Sequence, residues 1–90
     1  MKDVIVRVPT KEDWIDVVGK ALTSGCWWND LEKRMFLIDW EMEKENTCVR
    51  IIDKEMGHAP YWFYREKYPN IPIISTQEYL REDFLIKYIV

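Results

Sequence analysis

Ninety residues, 48% apolar and 32% charged, set the scale of one compact domain and exclude a disordered or fibrous chain. The formal net charge of −3 argues against a nucleic-acid partner, because phosphate contacts need clustered Lys and Arg. No apolar run approaches the roughly 20 residues of a membrane span, and Lys2 and Asp3 precede only the short run Val4–Val8, unlike a signal peptide.

Asp3–Val8 alternates, with Val4, Val6 and Val8 on one face and Ile5 and Arg7 on the other; this is a half-buried strand closed by Pro9. Thr10 is an N-cap, followed by the acidic first turn Glu12-Asp13. Trp14, Val17, Val18, Ala21 and Leu22 share one helical face, which predicts a helix over 11–23 ended by Ser24-Gly25, with Gly25 at C′. Cys26–Asp30 reads as a connection in which Trp27 and Trp28 point opposite ways, one to the core and one to the surface. Leu31–Met42 carries two periods. Leu31, Met35, Ile38 and Met42 form a helical stripe, whereas Phe36, Ile38, Trp40 and Met42 alternate like a strand. The composition suits a helical turn from about Asp30 running into a strand near Leu37–Met42.

Glu43–Asn46 reads as a charged turn and Thr47–Ile52 as a strand, paired with the preceding segment in a hairpin through Lys44–Asn46. A further turn is expected at Gly57-His58. Pro60 suits the first position of a short helix over Ala59–Lys67, on which Tyr61 and Tyr64 share a face with Tyr68. Pro69-Asn70 breaks that helix, and Pro72 marks Ile71–Ile74 as an edge strand or a strand start. Ser75 and Glu78 complete a capping box for a helix beginning at Thr76, while Phe84–Val90 fits either a helix or a last strand. The expected fold is α+β: a small antiparallel or mixed sheet of 3–4 strands packed against one main helix, with shorter helices near 60–67 and 76–83, in a single domain spanning 1–90.

Five tryptophans, five tyrosines and three phenylalanines are the chemical signature of the chain. Such side chains build either a core or a flat surface for a base, a peptide or a protein. The sole histidine, His58, has no nucleophile motif beside it and reads as a turn residue before a helix. Cys26 and Cys48 lack metal-ligand spacing, so neither catalysis nor a metal or other cofactor is expected. Asp39, Glu41, Glu43 and Glu45 would form one acidic face if their segment were a strand.

Aromatic and basic side chains together suit a binding site, because Tyr, Trp and Arg dominate protein-interface hot spots and also stack on bases. Tyr61, Trp62, Tyr64 and Arg65 are the candidate binding residues, with Trp28 and Arg50 in support. Thirteen aromatics strain the interior of so short a chain, so some are expected at the surface. Mild acidity and aromatic surface favour a protein partner. A nucleotide-like small molecule is the alternative and would need cations from among Arg34, Arg50, Arg65 and Lys67. Self-association into a dimer or larger assembly is a further expectation.

Taken in order, the first strand, the capped helix holding Trp14, the junction Gly25-Cys26-Trp27-Trp28, the strand Asn46–Ile51, the run Tyr61–Tyr68 and the closing Ile73-Ile74-Ser75-Thr76-Gln77-Glu78-Tyr79-Leu80 form a pattern. It resembles small accessory proteins of tailed bacteriophages, of the host-takeover or counter-defence type, whose chains often end in Ile-Ile-Ser-x-x-Glu-aromatic-Leu. The resemblance covers most of residues 3–80, through motifs that are individually unspecific. It implies a non-catalytic protein in the cytoplasm of the host cell that binds and blocks a host protein. The Tyr-Trp-Phe-Tyr run and residues 81–90 depart from the pattern, so the resemblance does not specify the target.

Overall fold

A computed structural model describes residues 3–28 and 37–81. The elements follow the order β1 (Val4–Arg7), α1 (Lys11–Thr23), β2 (Trp27–Trp28), α2 (Leu37–Glu41), a 3₁₀ turn (Lys44–Asn46), β3 (Thr47–Ile52), β4 (Glu55–Pro60), α3 (Tyr61–Lys67) and β5 (Ile73–Ser75), with helical residues again at 76–81. The strands form one five-stranded mixed sheet in the order β2-β4-β3-β1-β5. β1 and β4 flank β3 antiparallel, while β5 joins β1 and β2 joins β4 in parallel. The fold is α+β as expected, with five strands in place of the expected 3–4.

Alternation in β1 decides the two layers. Val4, Val6 and Val8 meet Val49, Ile51 and Met56 under α1, which contributes Trp14, Val17, Val18 and Ala21 to the larger core. Ile5 faces the other way and joins Cys48 and Tyr64 in a second core beneath α3. The sheet is therefore covered on both faces, and α3 is a layer in its own right. Pro72 precedes β5, which among the described residues is the edge strand beside β1.

The caps follow their sequence signals. Thr10 Oγ1 accepts from the Asp13 amide at 3.1 Å. The helix closes in a Schellman arrangement, with the Cys26 amide donating to Ala21 O, the Gly25 amide donating to Leu22 O, and Gly25 at φ 92°. Ser75 and Glu78 exchange both capping-box hydrogen bonds, at 3.1 and 3.3 Å. The helical residues at 76–81 are tied down further by Thr76 Oγ1 donating to Arg7 O and Lys20 Nζ donating to Tyr79 O.

Four expectations are corrected. Leu37–Glu41 is helical, not a strand. Trp40 is the reason: its indole N–H donates to Val8 O at 2.8 Å, and its carbonyl accepts from Thr47 Oγ1, so the segment docks by one anchored ring and not by a ladder. The acidic face consequently does not form, since Asp39 turns inward to 3.7 Å from His58 Nε2 and Glu41 pairs with Lys11. The expected helical turn from Asp30 lies outside the described residues.

β3 forms its hairpin with β4, not with the preceding segment. The connection is the two-residue loop Asp53-Lys54, with φ of 52° and 68°, the paired positive φ of a type I′ turn. The Asp3 carboxylate accepts from the Asp53 amide at 3.0 Å and braces it. Gly57-His58 is therefore not a turn but the middle of β4.

Candidate functional site

Helix α3 positions the aromatic run. Pro60 supplies an extended N-cap at φ −66°, and the Tyr68 amide donates to Tyr64 O to close the last turn. The inner side seats Tyr64, 3% exposed, on Ile5 and Cys48, with Tyr61, Tyr68, Ala59, Ile71 and Ile73 packed around them. The i, i+3, i+7 spacing of Tyr61, Tyr64 and Tyr68 thus becomes the anchoring stripe. The outer side presents Trp62 at 54% and Phe63 at 46% exposure, beside the exposed Arg65 and Glu66.

The polar tips of the anchoring tyrosines are ordered by cations. Arg65 donates to Tyr61 Oη at 2.8 Å, while the Arg7 guanidinium lies 4.9 Å from the Tyr61 ring centroid. Lys67 Nζ sits 5.4 Å from the Phe63 ring and 5.6 Å from the Tyr68 ring. Burial pushes the Tyr64 phenol up to about 12, against the pull of Arg50, so it remains a hydroxyl throughout the physiological range.

Between the β3–β4 hairpin and α3 lies an open pocket of about 350 Å³. Its hairpin side carries Arg50, Glu55 and Gly57, and its helix side carries Phe63, Tyr64, Lys67 and Tyr68. Arg50 Nη2 donates to Glu55 Oε1 at 3.2 Å, and its guanidinium lies beside the Tyr64 hydroxyl over Gly57. Gly57 makes that placement possible, because a Cβ there would stand 2.9 Å from Arg50 Nη2 and 3.3 Å from Tyr64 Oη.

The six residues singled out from sequence fall into four places. Tyr64 and Arg50 meet in the pocket, Tyr61 and Arg65 pair along α3, and Trp62 stands on its outer surface. Trp28 offers no binding surface: it is 1% exposed and stacks on Trp14 at 5.5 Å. The pairing of β2 with β4 aims it into the larger core and leaves Trp27 half-buried. Of the cations considered for a small-molecule site, Arg50 and Lys67 converge, Arg65 does not, and Arg34 lies outside the described residues. Gly57 and Glu55 were not recognised from sequence. Gly57 carried the signal of a turn, and a strand glycine that makes room for a guanidinium looks no different along the chain.

His58 lies in β4 with its ring edge-on to Trp14 and Trp28, at 5.8 and 5.9 Å. Cys26 and Cys48 are buried thiols, both pushed up by desolvation, Cys48 to about 11, where a thiolate nucleophile is disfavoured. Among the described residues, no three His, Cys, Asp or Glu side chains gather as a metal site, and no helix is long and apolar enough to cross a membrane. Comparison of the chain with protein-family models, curated proteins and solved structures gives no match.

Proposed function

We propose that this is a non-catalytic binding protein that engages a partner protein through the outer face of α3. The observation that carries the reading is the adjacent pair Trp62 and Phe63, 54% and 46% exposed on a helix whose other rings are anchored to the sheet. Large rings held on a rigid element bind at low entropic cost, and an arginine beside them completes the usual composition of a hot spot. Arg65 is that arginine, preset by its hydrogen bond to Tyr61. The resemblance to phage accessory proteins supports the finer reading, in which the partner is a host protein in the cytoplasm that is bound and blocked. A second copy of the chain is the competing occupant of the same face.

The double variant Trp62→Ala/Phe63→Ala separates binding from folding. Both side chains are about half exposed and outside the two cores, so stability is expected to change by less than about 1 kcal/mol. Retention of the partner on the immobilised protein, quantified against wild type, should fall at least tenfold. Undiminished retention together with a large loss of stability would assign the two rings to packing and end the proposal.

A further inference from the structure

We propose that the pocket between α3 and the β3–β4 hairpin binds a small organic phosphate, with the phosphoryl group on Arg50, Lys67 and Tyr64 and a planar ring against Phe63 and Tyr68. Local charge is the first argument. The protein carries net −3, yet this pocket gathers two cations against the single carboxylate of Glu55. Glu55 has a side chain 45% exposed and engages one guanidinium nitrogen.

Donor geometry is the second. A guanidinium has five N–H donors in a fixed fork. Arg50, with a side chain only 14% exposed, uses one of them on Glu55 among the described residues, leaving donors for an oxyanion. Lys67 makes no ion pair among the described residues; its ammonium is held only by the Phe63 and Tyr68 rings. The Tyr64 hydroxyl stands beside the Arg50 guanidinium over Gly57 and keeps its own proton, which makes it a third donor for a phosphoryl oxygen.

The third argument is the construction of the site. Gly57 is the one β4 residue whose lack of a Cβ lets the Arg50 guanidinium lie against the strand under Tyr64. The volume of about 350 Å³ falls at the small end of ligand sites, where a mononucleotide-sized molecule belongs.

The experiment is a calorimetric titration of the intact protein with AMP, adenosine and inorganic phosphate. AMP should bind saturably, phosphate more weakly and adenosine not measurably. Lys67→Met, an exposed change that leaves the fold intact, should weaken AMP at least tenfold, as should Gly57→Ala, whose Cβ displaces the guanidinium. Lys11→Met, on α1 at the other face of the sheet, should leave AMP affinity unchanged and serves as the control. Saturable AMP binding that Lys67→Met and Gly57→Ala do not weaken would place the ligand elsewhere and overturn the proposal. So would the absence of saturation by any of the three probes at millimolar concentration. Phosphate binding as tightly as AMP would remove the ring from the site and overturn the organic half of the assignment.

Discussion

At the scale of single residues, burial decides what the titratable groups do. Cys48 is fully buried and Tyr64 nearly so, and desolvation raises the first from 9.0 to about 11 and the second from 10.0 to about 12. The unfolded chain gives up both protons at lower pH than the native protein does. The stability these groups contribute is therefore complete below about pH 9 and is lost as pH rises through 9 to 12, on the order of 2 kcal/mol for each group. Denaturant titrations between pH 8 and pH 12 should show that decline, and Cys48→Ala should remove its earlier part. A flat profile up to pH 12 would mean that neither group is desolvated as the packing implies. The same burial keeps Cys48 from serving as a nucleophile at neutral pH.

At the scale of elements, local signals were readable and long-range ones were not. α1, its Thr10 cap and its Gly25 exit depend on residues within a turn of one another, so their pattern survives in sequence. The same holds for the Ser75–Glu78 box and for the tyrosine stripe of α3. Leu37–Glu41 could not be read in this way, because its helical and strand periods overlap and the choice is made by Trp40 reaching Val8, 32 residues away. The β3–β4 turn was also illegible. Asp53-Lys54 holds two positive φ values without a glycine, so it lacks the usual Asn-Gly or Asp-Gly mark. Half of the candidate site was visible as residue types, Arg50 and Tyr64 among them, but their meeting depends on strand register across that unmarked turn. A left-handed lysine costs about 1 kcal/mol that glycine avoids, partly offset by the greater freedom of glycine in the unfolded chain. Lys54→Gly should thus raise stability by roughly 0.5 kcal/mol in chemical denaturation. A loss of stability instead would show that the turn does not hold the conformation described.

At the scale of the whole molecule, a sheet covered on both faces separates two kinds of surface. On the α1 side, α2 and its neighbour expose Leu37, Ile38 and Met42, with Ile15 on α1 itself exposed as well. On the opposite side, α3 exposes Trp62 and Phe63 above the pocket that gathers Arg50 and Lys67. Two rings alone fall far short of the roughly 1,200 Å² that a stable complex buries, so a partner must also reach the polar rim around Arg65 and Glu66. The aliphatic side chains near α2 lack the aromatic and arginine anchors that concentrate binding energy, which is why the account places the partner on α3.

The most direct measurement is site-specific photo-crosslinking in the bacterial host that the resemblance implies, with the reactive group at position 62 in one protein and at position 15, on the opposite face, in another. The account predicts a discrete adduct of one host protein from position 62 and none from position 15. Adducts from position 15 alone, or a position-62 product that is only a dimer of the 11.0 kDa chain, would contradict a host-protein site on α3.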